Sequence, residues 1–532
     1  MKRILNGPYR DRIYAALIMI IVFLYLLLTI PFKEYPACFA PYDFQLDFLE
    51  YHMIAINFIK SGSFFIHGLA YDPATYHLCD NHQTQIILEF LDKNGPFIML
   101  NRPPVYIIFL SVMYGLFGIE TYPLYIANML LVSLICALIY LIMVRLTGGR
   151  KRYIGLIGVF LFLSYKMPDI LQIDAELLSG LAGVLILYSG IRCYQSNALK
   201  DYFLFGITVI IGILTKGVFL FVIPIFFLVS LYVFGQYKDL IKKLAFTSLG
   251  VAVLLIPWVI FINLKNMDSV EERKLSQEKI AAWTPKHSFS DEDEFRRFYY
   301  TGDNNLVTLN MILGYAYYLY MESNPFILVT NQAASESIFM ANNEFCTDGE
   351  WHLEWKFIKN AYYNTVHLDK PVLVRLILFY YEHPKLFFEI FAGKLASASK
   401  KLPSFFWIGA SFFGFYLVLR RFRYKPYLLL IALVVSLFLV VSSVYGFKYL
   451  FPFTHFFLFI AGLLSLRQQQ VREIPLIIPT MYMNGIIVIL LIYGDDRFLE
   501  IYNCLGIVSA LFFGLKIFLH FRQAITLRDQ ST

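Results

Sequence analysis

The sequence predicts an all-α polytopic membrane protein, with about twelve transmembrane helices, interfacial helices and an α-rich outer domain. Three observations predict it. Of its 532 residues, 58% are hydrophobic and 16% charged, where a soluble surface needs roughly a quarter of the chain charged. The apolar residues run in long blocks divided by short basic clusters, the pattern of repeated membrane crossings. Aromatic residues make up 18%, with 52 Phe and 38 Tyr, which suits wide aromatic belts at the two interfaces. A soluble enzyme, a disordered protein and a disulfide scaffold are excluded. The formal charge of +7 is no argument for nucleic acid, because Lys and Arg collect in cytoplasmic loops.

In chain order, Met1, Lys2, Arg3, Arg10 and Arg12 precede an apolar run from Tyr14 to Ile30 with no small-residue cleavage site after it, so the run reads as a retained first span. Further basic clusters stand at Arg145 to Arg152, Arg192/Lys200, Lys238/Lys243, Arg420 to Lys425, Arg467/Arg472 and Arg522/Arg528. All fall on one side with spans near 14–31, 122–145, 153–168, 176–192, 202–215, 218–234, 244–264, 403–419, 426–444, 449–466, 475–493 and 498–518. The condition is that 103–117, short and opened by Pro103-Pro104, lies at the outer interface and does not cross. The expected organisation is an N-terminal membrane module over 1–264 with an outer loop at 32–121, an extracytoplasmic domain over 265–402, and C-terminal helices over 403–532. Both termini come out cytoplasmic, in a cell inner (plasma) membrane. Span lengths show no internal repeat, which argues against a secondary transporter.

The first outer loop carries the most informative helix. From Asp47 to Gly62, helical spacing puts Asp47, Tyr51, Ile54 and Phe58 on one face, with Gly62 as the C-terminal stop. By itself Asp47 needs no function, since an acid in the first turn complements the helix dipole. Cys38, Cys79 and Cys346 fall in polar stretches placed outside, where a Cys38–Cys79 bridge is open to form. His67, His77 and His82, interspersed with Asp72 and Asp80, match no standard zinc spacing. His383-Pro384 marks a helix start.

Asp47-x-x-x-Tyr51-x-x-x-Ala55-x-x-Phe58-x-x-x-Gly62, followed by Asn101-Arg102-Pro103-Pro104-Val105-Tyr106 and Leu116-Phe117-Gly118, resembles the first outer loop of GT-C glycosyltransferases. Within that superfamily it is similar to the branch of protein O-mannosyltransferases and lipid A aminoarabinose transferases. The resemblance continues in order. Pro168 with Asp174 and Glu176 is similar to a second acidic loop, and Leu214-Thr215-Lys216-Gly217 with Pro224 to a Leu-Thr-Lys-Gly element. Val329-Thr330-Asn331 through Met340-Ala341-Asn342-Asn343 and Gly349 resembles a Thr-Asn … Gly-Asn-Asn loop, and Phe447-Lys448-Tyr449-Leu450-Phe451-Pro452 an Arg-Tyr-x-x-Pro element. Phe48, Ala341 and Lys448 depart from the pattern. The first stands where a second acid is often found, which leaves open whether a divalent cation takes part.

The resemblance implies an inverting glycosyltransferase that moves a sugar from a polyprenyl-phosphate carrier to a hydroxyl of a lipid, glycan or protein acceptor. Such transfer needs a base for the acceptor proton and positive charge for the departing phosphate. The implied base is Asp47. Asp174 and Glu176 form a second acidic site that positions the acceptor, binds a cation or solvates a helix end. Arg102, Lys216 and Lys448 are the donor-phosphate candidates; snorkelling is the plainer account of Lys216 and Lys448. Tyr51, Asn101, Asn342 and Asn343 are weaker candidates for acceptor or sugar contacts, with ordinary turn chemistry as the plainer account of the two last. A flippase of lipid-linked sugars and a glycan ligase or polymerase are the alternatives; the first would need ionisable residues at mid-membrane, where the spans hold few.

Overall fold

A computed structural model describes residues 8–30, 46–62, 103–149, 151–166, 174–234, 237–268, 342–348, 372–401, 405–421, 458–462, 474–492 and 502–529. Among the described residues the architecture is helical throughout, without strands. Among the described residues, five helices are long and apolar enough to cross a membrane: Tyr9–Thr29, Thr121–Leu146, Glu176–Ser196, Lys238–Leu264 and Asn503–His520. Shorter apolar helices accompany them at Pro104–Phe117, Arg152–Ser164, Gly217–Val233, Phe405–Arg420 and Ile477–Ile489. The expected span at 426–444 lies outside the described residues.

The helices are α1 (Pro8–Thr29), α2 (Leu46–Ser61), α3 (Pro104–Phe117), α4 (Thr121–Leu146), α5 (Arg152–Lys166), α6 (Glu176–Ser196), α7 (Leu199–Thr215), α8 (Val222–Phe234) and α9 (Tyr237–Asp268). Then follow α10 (Val372–Glu382), α11 (Pro384–Lys401), α12 (Phe405–Arg421), α13 (Ile477–Ile492) and α14 (Asn503–Asp529). Their ends obey local chemistry. Pro103 is extended and Pro104 opens α3, where a missing N–H costs nothing. Gly118 closes it at φ 83, its N–H donating to the Tyr114 carbonyl at 2.9 Å. Gly62 closes α2 in the same way, at φ 66 with its N–H on Phe58 O at 2.9 Å, so the predicted stop is the observed one. Helix α11 begins at Pro384.

The membrane helices pack side by side. Helix α1 lies on α4, α4 on α5 and α6, α6 on α7, and α7 on α9. The α7–α9 crossing is close because glycines face it: a Cβ on Gly206 would sit 2.1 Å from Thr247 O, and one on Gly250 2.1 Å from Phe203 O. Backbone proximity of this kind is how helices associate where lipid removes the hydrophobic drive. Large apolar side chains such as Ile21, Leu28, Leu249 and Ile256 stay exposed on α1 and α9, as lipid-facing surfaces do.

Polar pairs mark the two ends of this bundle. At one end Arg152 Nε meets Asp11 Oδ1 at 2.7 Å, Arg145 Nη1 donates to Gln195 at 3.3 Å, and Arg192 Nη2 meets Asp201 Oδ1 at 2.6 Å. These are the starts of α1, α5 and α7 and the finishes of α4 and α6. The opposite end therefore holds the start of α6 and the finish of α7. A second, smaller core of Cys346, Leu376, Phe379 and Ile390 joins the 342–348 turn to α10 and α11.

Candidate functional site

The site is assembled from two helix pairs. Helices α2 and α3 pack side by side, with Tyr51, Ile54 and Ala55 buried and Phe58 half-buried, the face that the spacing predicts. Tyr51 sets its ring edge-on to Tyr106, centroids 4.9 Å apart. His52 Nδ1 lies 2.7 Å from the Tyr114 hydroxyl, and burial lowers this imidazole to a pKa of about 3, so it is neutral. Ser111 Oγ donates to the Ala55 carbonyl at 3.2 Å. Asp47 lies in the first turn of α2, one turn ahead of Tyr51.

Helices α6 and α7 supply the charges. Asp174 Oδ1 accepts the Glu176 N–H at 2.9 Å, filling one of the donors that a helix start leaves unmet. At Lys216 the backbone turns extended, φ −154 and ψ 127, and its N–H still reaches Gly212 O at 2.8 Å. The chain thus leaves α7 with the lysine projecting back, and Lys216 Nζ pairs with Glu176 Oε1. The two side chains are 16% and 11% exposed, so the pair is screened far less than a surface one.

Helix α3 packs against α7 and closes the group. The Tyr106 hydroxyl is raised well above its ordinary pKa, first by burial and then by the charge of Asp174, with Tyr114, Tyr51 and Glu176 adding to it. Tyr51, Tyr106, Asp174 and Glu176 are therefore electrostatic neighbours, although they come from three helices. An aromatic wall beside a carboxylate–ammonium pair at one end of a membrane bundle can orient a polar, anionic group while excluding water. Among the described residues no group of three or more His, Cys, Asp or Glu converges as metal ligands.

Residues 101–261 match the family model "Dolichyl-phosphate-mannose-protein mannosyltransferase". This is a GT-C superfamily domain, so over that stretch the chain is similar to a family of membrane glycosyltransferases, in line with the resemblance carried by the motifs. The mannosyltransferase match runs from just before α3 into α9 and includes Tyr106, Asp174, Glu176 and Lys216. Helix α2 with Asp47, and α10 to α14, lie outside it. No match was found among curated proteins or solved structures.

The other predicted site residues divide into two groups. Asn101, Arg102 and Lys448 lie outside the described residues, as do Cys38, Cys79, His67, His77 and His82. Asn342 and Asn343 are described, and they are engaged locally. Asn342 Oδ1 accepts Lys394 Nζ at 2.6 Å and the Tyr380 hydroxyl at 2.7 Å, while Asn343 Oδ1 accepts the Phe345 N–H at 2.9 Å. Lys394 is 1% exposed, and burial pulls its pKa down to about 7 against a weaker opposing pull from Cys346. Two features of the mannosyltransferase-like site escape sequence reasoning: the His52–Tyr114 contact and the charge environment of Tyr106. Tyr106 does stand in the quoted Asn101–Tyr106 motif, the one signal that pointed toward it.

Proposed function

We propose that this chain is an inverting glycosyltransferase that moves a sugar, mannose by the name of the matching family, from a polyprenyl-phosphate carrier to a hydroxyl acceptor. The acceptor belongs to a lipid, glycan or protein at the outer face of the cell inner membrane. The Glu176–Lys216 pair near Tyr106 carries this reading, because Tyr106 packs on Tyr51 of the helix whose first turn holds Asp47.

In the proposed reaction the Asp47 carboxylate takes the acceptor hydroxyl proton as the oxygen attacks C1 of the sugar. The C1–O bond to the phosphate breaks, and its electron pair leaves with the polyprenyl phosphate. One displacement inverts the anomeric carbon. Lys216, with Arg102 and Lys448 as further cations, meets the phosphate charge that grows as the bond breaks. Asp174 fixes the start of α6, and Glu176 holds Lys216 in place before the donor arrives. The polar end carrying Glu176 and Lys216 is then the outer one. The end carrying Arg145, Arg152 and Arg192 is cytoplasmic, as are both termini. In this reading the segment 265–402 contributes to the choice of acceptor.

The test is transfer from radiolabelled polyprenyl-phosphate mannose in membranes, comparing the native chain with Asp47→Asn. Loss of a general base is expected to cut turnover by about 10²- to 10⁴-fold with donor binding retained. Equal turnover in the variant removes Asp47 from the role. A native protein inactive with every monophosphate donor points to the flippase or ligase.

A further inference from the structure

Lys216 is also tied to a part of the chain far from it in sequence. Just past it the backbone makes a single 3-10 turn, Gly217–Phe219, closed by the Leu220 N–H on Gly217 O at 3.1 Å. The Val218 carbonyl in this turn accepts Asn484 Nδ2 of α13 at 2.7 Å and the Tyr502 hydroxyl, just before α14, at 3.2 Å. Asn484 Nδ2 also contacts the Tyr502 hydroxyl, so the three groups form a closed triangle. Asn484 and Tyr502 are each 0% exposed.

We infer that Asn484 and Tyr502 are positioning residues for Lys216, through which the C-terminal helices set the donor-phosphate cation. Three observations carry this. Gly217, the residue between Lys216 and Val218, has nothing within 4 Å of where a Cβ would stand, so no side chain packs the backbone in place directly beside the lysine. The turn is held from its far half, by the buried Val218 and Phe219 side chains and by the Val218 carbonyl anchor. Second, Asn484 Oδ1 is buried and accepts no hydrogen bond among the described residues. An apolar side chain would avoid that cost, so the amide stands there for its donor, which is spent on Val218 O and Tyr502. Third, α13 and α14 lie outside residues 101–261, so a separate helix pair supplies this anchor to the matched domain. General helix–helix adhesion by polar residues is the competing account.

The inference rests on the reading of Lys216 as a donor-phosphate cation, and the test separates the two. Full-length protein in nanodiscs is compared as native, Asn484→Ala, Tyr502→Phe, Lys216→Ala and the Asn484→Ala/Lys216→Ala pair. Amide hydrogen exchange is followed at 216–220, with KM and kcat for polyprenyl-phosphate mannose and the unfolding temperature. Asn484→Ala is expected to speed exchange at 216–220 selectively and to raise donor KM about tenfold, the scale of one lost buried hydrogen bond. Tyr502→Phe does less, because Asn484 keeps its bond to Val218. The double variant should match Lys216→Ala in donor KM, since a clamp without its lysine has nothing to position. Unchanged exchange at 216–220 in Asn484→Ala overturns the clamp whatever the activity. Multiplying KM effects with a general fall in unfolding temperature overturn it in favour of adhesion. Faster exchange together with a normal donor KM in Lys216→Ala removes the donor-phosphate role, and with it the functional half of the inference, while the clamp stands.

Discussion

Lys216 and Lys394 are both drawn out of water, yet they are held by opposite means. Lys216, at the end of α7, faces the full charge of the Glu176 carboxylate. Lys394, inside α11, faces the amide oxygen of Asn342, which offers a dipole and no net charge. In a region of low dielectric the difference is large. A carboxylate offsets the desolvation of an ammonium, and an amide offsets only part of it. The consequence is visible at Lys394, where burial brings the amine down to about 7. Lys216 sits in a pair that a second anion, such as a phosphate, can enter by competing for the same ammonium. Lys394 sits in a tie that keeps the 342–348 turn on its helix. The first arrangement is what the proposed phosphate site needs, and the second belongs to a small core.

The strongest way to break this comparison is Glu176→Gln, which turns the Lys216 partner into the kind that Lys394 has. Removing one member of a partly buried ion pair leaves the other charge uncompensated, and about 3 kcal/mol is an upper figure once the residual exposure of the pair is discounted. Transfer should fall by at least about tenfold, because the lysine loses its preset position. Adding Lys216→Met should restore the unfolding temperature without restoring transfer. If Glu176→Gln leaves both transfer and unfolding unchanged, the charged pair differs from the Lys394 tie in name only.

Lys394→Met tests the other side through pH. The folded protein binds the Lys394 proton with a pKa near 7, against an ordinary value of 10.5. Below about 7 both states are protonated, and the buried charge costs stability in full. Between about 7 and 10.5 the unfolded chain binds more protons, so stability rises with pH. Native protein should therefore gain stability relative to Lys394→Met on going from pH 6.5 to pH 9, by roughly a few degrees in unfolding temperature. A constant difference across that range would show that the amide partner holds this lysine as well as a carboxylate would.

What the sequence could reveal follows from how local each feature is. Pro104 and Gly118 bound α3, and Gly62 ends α2, because the backbone angles each needs are written in the residue itself. The buried face of α2 is legible from the spacing of Tyr51, Ile54 and Phe58. Asp174, Glu176 and Lys216 are identifiable as polar residues stranded beside apolar runs. That Glu176 and Lys216 meet is not, since they are forty residues apart and the contact depends on how α6 packs on α7. At that packing, a Cβ on Gly212 would lie 2.9 Å from both Ile186 and Phe219, a restriction that appears only once the helices are in place. The Val218 anchor is less legible still, with partners 266 and 284 residues away. Asn342 shows the opposite case: a motif position expected to meet a sugar has its amide oxygen on Lys394 and Tyr380.

Tyr380→Phe gives the finest adjustment of the comparison. The Tyr380 hydroxyl and the Lys394 ammonium share one acceptor, Asn342 Oδ1, and two donors on one oxygen each polarise it less than either would alone. Removing the hydroxyl leaves that oxygen to the ammonium, which favours the charged form of Lys394. The rise in stability with pH should then begin later than in the native protein, by a few tenths of a pH unit, while the unfolding temperature at pH 6.5 changes by only about a degree. Hydrogen exchange of the 342–348 turn as a function of pH reads the same shift locally. An earlier onset in Tyr380→Phe would mean that the hydroxyl supports the charged lysine rather than competing with it, and that the tie at Lys394 works more like the carboxylate pair at Lys216 than the Asn342 amide oxygen implies.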